Sequence, residues 1–147
     1  VFICSSAALV AIANPTGVVV NSVFAIGLTM FIFGFVIEVM ADNQKTAFRS
    51  IPENKDSFIN EGLWARSRHP NYFGEITLWA GITVMSISTF EGMNYLAIFS
   101  PIFSYLLLVY VSGVRMLEYR GLKKWGHLDD YKEYKNNTPK LIPKIFS

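Results

Sequence analysis

Four long apolar runs, almost free of charge, constrain the fold of this chain more than any other feature. They cover residues 1–13, 18–40, 72–90 and 95–117. A helix needs about 20 apolar residues to cross the hydrocarbon core of a bilayer, so the last three runs are long enough and the first is short. Because lipid cannot satisfy backbone hydrogen bonds, such runs must fold as helices. The sequence therefore predicts an all-α fold: a polytopic integral membrane helix bundle with three complete spans and one truncated N-terminal span.

The composition agrees with a lipid environment. Hydrophobic residues make up 52% of the 147 positions and charged residues only 16%, whereas a soluble domain would distribute its charges along amphipathic elements. A single cysteine, Cys4, excludes a disulfide framework, and we expect no metal site. We expect one membrane domain over 1–147, the C-terminal part of a longer protein, since Val1 begins within an apolar run. Its partners would be the lipid bilayer and a lipophilic small molecule, with no nucleic acid.

The positions of the basic residues predict the orientation in the membrane. Five Lys and Arg residues lie between positions 45 and 68, and the other eight lie between 115 and 144. With three complete spans both groups fall on one side, which the positive-inside rule makes cytoplasmic. We therefore expect a cytoplasmic loop over 42–71 and a cytoplasmic tail over 118–147, in a bacterial inner membrane or the endoplasmic reticulum.

The densest group of polar residues directly precedes the third apolar run. Proline disfavours a helical conformation in the residue before it and is well accepted in a first helical turn, so a helix is predicted to begin near Pro70. A helix N-terminus beside two arginines attracts an anion such as phosphate. The alternative is that the arginines only contact lipid headgroups and determine topology. The polar residues of this group are Arg66, Arg68, His69, Asn71 and Glu75.

Ionisable residues also lie at the ends of the apolar runs. Glu75 is about one turn inside the third run, where a charge is costly unless it faces a partner or a polar cavity. Glu38 and Asp42 share a helix face at the end of the second run, and so do Arg115 and Glu118 at the end of the fourth. Polar groups at one depth on three spans predict a shared polar cavity.

Four segments hold longer motifs. The central one reads Gly-Leu-Trp-x-x-Ser-Arg-His-Pro-Asn-Tyr-Phe-Gly-Glu over 62–75, and Ala-Asp-x-Gln-Lys-x-x-Phe-Arg precedes it over 41–49. Ser-Gly-Val-x-x-Leu-Glu follows over 112–118, and Tyr-x-x-Tyr-x-x-x-Thr-Pro-x-Leu-Ile-Pro over 131–143. Over roughly residues 25–147, the chain resembles the steroid 5-alpha-reductase C-terminal-like family of membrane proteins, of the DUF1295 type.

That resemblance implies a reductase that binds NADPH from the cytoplasmic side and reduces a carbon–carbon double bond in a lipophilic, steroid- or enone-like substrate. Glu38 and Thr46 depart from the family pattern, which has Asn and Arg there. The catalytic residues are unknown and are expected in helices that precede this sequence. The residues expected to hold the cofactor are Asp42, Arg49, Arg66, Arg68, His69, Asn71, Tyr72, Glu75, Arg115 and Glu118.

Two alternatives remain open at this point. The Arg-His-Pro-x-Tyr-x-Gly string and the downstream Arg and Glu also resemble the isoprenylcysteine carboxyl methyltransferases, which use S-adenosylmethionine. Three features favour the reductase: the glutamate at position 75, the segment 42–49 and the Ile-Pro-Lys-Ile-Phe ending. The third hypothesis is a non-catalytic membrane module, in which Glu75 would form a salt bridge with Arg68 or Arg115.

Overall fold

The computed structural model describes residues 6–14, 17–111 and 113–144, and within them it contains helices and no strand. The prediction of an all-α fold is therefore confirmed. Cys4 and Ser112 lie outside the described residues. The six α-helices are α1 (Ser6–Ala13), α2 (Ser22–Ser50), α3 (Pro70–Ser86), α4 (Phe99–Leu106), α5 (Val114–Trp125) and α6 (Asp129–Asn137). Short 3₁₀ helices cover Pro52–Asn54, Gly62–Ala65, Ile87–Thr89 and Gly92–Ile98, and a π-helical turn covers Leu107–Val111.

Helix α2 is longer than the second apolar run. It starts after Asn21, whose side-chain oxygen accepts a hydrogen bond from the Phe24 N–H at 3.0 Å, as an N-cap does. It ends at Ser50 because Pro52 holds Ile51 in an extended conformation. Within the segment 42–71, expected to be a cytoplasmic loop, the first nine residues form the last turns of α2. No glycine or proline interrupts them.

Helix α3 begins at Pro70, as its sequence predicts, and packs antiparallel against α2 through glycines. A Cβ atom added to Gly34 would lie 2.5 Å from the Leu78 nitrogen and 2.6 Å from the Gly74 oxygen. One added to Gly81 would lie 2.5 Å from the Phe31 nitrogen and 2.7 Å from the Gly27 oxygen. The two backbones therefore touch along about two turns, and small residues are what such close helix contacts require.

The fourth apolar run is not one continuous α-helix. The chain passes from α4 into the π-helical turn and then, after Gly113, into α5. A Cβ atom at Gly113 would lie 2.3 Å from the Leu108 carbonyl oxygen, so only glycine fits this junction. The tail predicted over 118–147 is also partly helical, since α5 continues to Trp125 and α6 follows it.

Two helical stretches of the described chain are long and apolar enough to cross a membrane: Ser22–Ser50 and the stretch Gly92–Trp125. Helix α3 has 17 residues and is shorter. Of the three complete spans predicted, the described chain therefore contains two candidates by length and composition, and the polytopic membrane bundle stays a prediction. The outer face of α2 exposes large apolar side chains such as Phe33 and Val36. An exposed apolar face of this length needs lipid or further protein to cover it.

Candidate functional site

A pocket lies where the C-terminal end of α2 meets the loop before α3, α5 and α6. Its cavity volume is about 120 Å³, which is below the range of roughly 300–1,000 Å³ that is usual for small-molecule sites. We call it the aromatic pocket. It is lined by Lys45, Phe48, Arg49, Ser57, Phe58, Ile59, Trp64, Arg68, His69, Leu117, Glu118, Gly121, Trp125, Tyr131 and Tyr134.

The charged side of this pocket centres on Glu118. One carboxylate oxygen forms an ion pair with Nη1 of Arg68, and the other lies 2.9 Å from Nε2 of His69. The Lys135 ammonium lies 3.5 Å from the same carboxylate. The side chains of Arg68, His69 and Glu118 are 11%, 7% and 15% exposed, so the group is largely removed from water. Breaking a pair at this degree of burial would leave an uncompensated charge.

The ion pair differs from the one that the third sequence hypothesis requires. That hypothesis placed Glu75 in a salt bridge with Arg68 or Arg115. In the described part of the chain, Arg68 instead pairs with Glu118, 50 residues away along the sequence. The specific contact expected for a non-catalytic module is therefore absent there.

Three polar residues next to Pro70 each have a buried side-chain atom with no hydrogen-bond partner in the described chain. They are Nε of Arg68, Nδ1 of His69 and Oδ1 of Asn71. Buried polar atoms normally have a hydrogen-bond partner, so each of these requires a ligand or an ordered water. Arg68 and His69 line the aromatic pocket. Two of the three atoms therefore belong to residues of the pocket lining, and both are buried within it.

Aromatic rings form the opposite side of the pocket. The Phe58 ring lies 5.0 Å from that of Tyr131, 5.4 Å from that of Tyr134 and 6.1 Å from that of Trp125, measured between centroids. The Tyr134 hydroxyl donates a 2.7 Å hydrogen bond to the Trp64 carbonyl. Such a wall can stack a planar ring or attract a cation.

Burial determines the protonation of the two tyrosines in this wall. It raises the pKa of Tyr134 well above the usual value for a phenol, and the nearby Arg68 charge opposes this only in part. Burial also raises the pKa of Tyr131, and the negative charge of Glu118 adds to that effect. Both phenols therefore stay protonated to a higher pH than a solvated tyrosine does.

The C-terminal helices hold the loop that carries the motif. The indole nitrogen of Trp125 donates to the Asp56 carbonyl at 2.6 Å, and the Ser67 hydroxyl donates to the Leu141 carbonyl at 2.8 Å. The Arg68 backbone N–H donates to the Pro139 carbonyl at 2.9 Å. The site is thus assembled from three separate stretches of sequence.

The ten residues predicted to share one cofactor pocket do not all meet. Arg49, Arg68, His69 and Glu118 line the aromatic pocket. The other six do not line this pocket. Asn71 donates a 3.2 Å hydrogen bond to Asp42, and the Tyr72 ring lies beside the His69 ring with the centroids 6.0 Å apart. Arg115 lines a second groove, and Arg66 and Glu75 are absent from the pocket lining.

Sequence reasoning also missed most of the aromatic wall. Phe58, Trp125, Tyr131 and Tyr134 were not among the predicted site residues. One signal was available, because Tyr131 and Tyr134 are spaced i and i+3 on one helix face in a polar segment with few other apolar residues. No group of His, Cys, Asp or Glu that could hold a metal ion occurs in residues 6–14, 17–111 and 113–144.

The fold and pocket define a helical protein with a polar and aromatic site at one end of an apolar bundle. Residues 1–138 match the family described as protein of unknown function (DUF1295), and the chain belongs to that family. The predicted DUF1295 relationship is therefore confirmed.

One curated relative also matches. A probable O-methyltransferase, ustE, of Ustilaginoidea virens is 28% identical to this chain over 104 residues, which cover 70% of the chain and 36% of the relative. The chain thus spans about a third of that protein's length. No solved structure matches.

Proposed function

We propose that this protein is an enzyme that binds S-adenosylmethionine in the aromatic pocket and transfers its methyl group to a lipophilic acceptor. The observation that carries the proposal is the pocket itself, whose lining combines the cationic side chains of Lys45, Arg49 and Arg68 with a wall of aromatic rings. The name of the Ustilaginoidea virens relative supports methyl transfer rather than reduction.

The residues of the pocket fit the chemical groups of S-adenosylmethionine. An aromatic face such as that of Phe58 could stack an adenine or attract a sulfonium cation, whereas the Lys45 ammonium lies over the Trp64 ring, 5.0 Å from its centroid. Lys45 and Arg49 supply the positive charge that the carboxylate of the methionine part requires. When bound, this cofactor supplies an electrophilic methyl group. The chain's own residues would orient the cofactor and keep water away from it.

Reduction with NADPH is the second candidate, and one contact favours it. The hydrogen bond between Asn71 and Asp42 holds together two positions that the steroid-reductase resemblance assigns to a cofactor site. The expected phosphate clamp of Arg66 and Arg68 is the weaker part of that case. The guanidinium of Arg68 is paired with Glu118, and Arg66 does not line the pocket.

We also propose that the chain forms a polytopic membrane domain with the site on the cytoplasmic side. The support is the exposed apolar face of α2, the second candidate span Gly92–Trp125, and the grouping of basic residues near the pocket. In this orientation a lipophilic acceptor would approach from the bilayer, and the cofactor would enter from the cytoplasm.

The test is cofactor binding to the full-length protein in detergent, measured as a thermal shift with S-adenosylmethionine, S-adenosylhomocysteine and NADPH. Two arginine variants provide the control. Arg49→Gln changes a residue of the pocket, whereas Arg66→Gln removes an equal charge outside it. We expect a shift with S-adenosylmethionine that Arg49→Gln reduces and Arg66→Gln leaves intact.

Three other outcomes of the binding assay would contradict the proposal. A shift with NADPH alone would replace methyl transfer by reduction. A shift with neither cofactor would favour a non-catalytic membrane module. Equal losses in both arginine variants would show that net charge, and not the pocket, attracts the cofactor.

A further inference from the structure

The outer side of α5 forms an open concave surface that shares no lining residue with the aromatic pocket. Its volume is about 600 Å³, within the roughly 300–1,000 Å³ that is usual for small-molecule sites. The opposite side of α5 faces inward, where Val114 and Gly121 are buried and Glu118 lines the pocket. We call the outer surface the basic face. It is lined by Val111, Arg115, Met116, Tyr119, Arg120 and Lys123.

The cations of the basic face have no acidic partner in the described chain. They are Arg115, Arg120 and Lys123, and no acidic residue lines the face with them. The next residue shows the contrast, because the Lys124 ammonium lies 3.1 Å from a carboxylate oxygen of Asp56. Like charges that are grouped without a partner repel each other and attract an anion from outside. The basic face therefore favours an anionic ligand.

Apolar side chains are exposed between these cations. Arg115, Tyr119 and Lys123 follow one another at intervals of four residues and so form one row along the helix. Met116 and Arg120 form the next row. The Tyr119 residue is 69% exposed and Met116 is 44% exposed, so neither packs against the rest of the chain. Tyrosine together with long basic side chains is typical of the boundary between the headgroups and the acyl chains of a bilayer.

The position of the basic face along the chain also fits that boundary. It begins at Val111, which is 68% exposed and ends the π-helical turn within the candidate span Gly92–Trp125. From Met116 to Lys123 the helix rises by about 10 Å. The headgroup region on each side of a bilayer is of similar thickness, about 5–8 Å. The basic face can therefore extend from the acyl chains to the water.

The mixture of side chains distinguishes a lipid from a small soluble anion. A free phosphate would neutralise the cations but leave Val111, Met116 and Tyr119 in contact with water. A phospholipid with a net negative charge supplies both parts, since its headgroup meets the cations and its acyl chains cover the apolar side chains. Basic groups next to a membrane span attract anionic lipids for this reason.

We propose that the basic face binds an anionic phospholipid, with the headgroup against Arg115, Arg120 and Lys123 and the acyl chains against Val111 and Met116. This inference goes beyond the proposed methyl transfer and does not depend on it. It rests only on the proposed membrane placement of the chain. The consequence is that the helix carrying Glu118 is held at the membrane surface by one class of lipid.

The test uses the full-length protein in nanodiscs of phosphatidylcholine. The probes are phosphatidylglycerol and phosphatidylcholine, each with the same photoreactive group in one acyl chain and each present at the same low mole fraction. Cross-links are mapped by mass spectrometry, and the ratio of labelling by the two lipids within 107–123 gives the preference. We expect phosphatidylglycerol to be preferred at least about tenfold in this segment.

Single variants with the same loss of charge provide the control. Arg120→Gln and Lys123→Gln change the basic face, whereas Lys55→Gln and Lys132→Gln remove charges outside it. Each of the first two should lower the preference by about fivefold, and each of the controls by less than twofold. All four side chains are exposed, so the thermal unfolding midpoint in phosphatidylcholine nanodiscs should stay unchanged.

Four results would overturn the proposal. Equal labelling by the two lipids in protein that has entered the nanodiscs would exclude anion recognition and leave the membrane placement intact. Protein that does not enter nanodiscs would refute the membrane placement as well. Equal losses in all four variants would mean general attraction to a basic surface. Loss of the preference on addition of inorganic phosphate at constant ionic strength would identify a site for soluble anions.

Discussion

Replacing Gly34 by alanine tests whether direct backbone contact holds α2 against α3. The added methyl group would meet the Leu78 nitrogen at 2.5 Å and the Gly74 oxygen at 2.6 Å, where ordinary contacts are 3.4–4 Å. The two helices would have to separate by roughly 1 Å, since both obstacles are backbone atoms that cannot rotate away. Overpacking of this kind costs up to about 3 kcal/mol, and the better helix propensity of alanine returns about 1 kcal/mol. We expect a net loss of about 2 kcal/mol in the free energy of unfolding.

The assay is unfolding in mixed micelles by titration with sodium dodecyl sulfate. The matched control is Ala25→Gly, which makes the reverse change on the exposed face of the same helix. Propensity alone predicts that Gly34→Ala stabilises the protein while Ala25→Gly destabilises it by up to about 1 kcal/mol. The contact described above predicts that both destabilise. A Gly34→Ala variant as stable as the unchanged protein would refute the reasoning.

Three further predictions concern the site. Glu118→Gln alone should destabilise the protein by about 3 kcal/mol, because it leaves Arg68 as a buried charge without its ion-pair partner. Arg68→Gln should cost less, because Glu118 keeps His69 and Lys135, and the double variant should cost clearly less than the sum. A double-mutant cycle measures this, and additive losses would contradict it. Trp125→Phe removes a hydrogen bond to the 55–59 segment and should cost about 1 kcal/mol, with faster amide hydrogen exchange in that segment alone. Tyr134 has a raised folded pKa, so its contribution is fully present below the unfolded value near 10.0 and is lost as the pH rises towards the folded value. Tyr134→Phe should therefore flatten the decline in stability between pH 9 and 11, and an unchanged slope would assign that decline to other groups.

Local chemistry in the sequence determined the helices and several of their ends. Pro70 starts α3 where the rules for proline place it, and the described parts of the apolar runs are mostly helical. The end of α2 was harder to predict, because a polar continuation such as 41–50 can be either helix or loop. The proline that ends it is two residues further on, at position 52.

The sequence contains the glycine spacing that allows α2 and α3 to touch, but the spacing alone does not predict the contact. Gly27 and Gly34 are seven residues apart, and so are Gly74 and Gly81. A spacing of seven residues returns to the same helix face after two turns, but it does not identify the partner. Only the antiparallel packing shows that the two pairs meet.

By itself the sequence determined the helical class, the approximate helix positions and the importance of the segment 62–75, because hydrophobic runs, proline and charge act over a few residues. The tertiary structure decided which charges meet. Arg68 is seven residues from Glu75, yet it pairs with Glu118, which α5 brings to the same end of the bundle. The same folding distributes the residues of the predicted single site between the aromatic pocket and a second groove. Ion pairing and burial depend on distances between side chains in space, and sequence separation does not fix those distances.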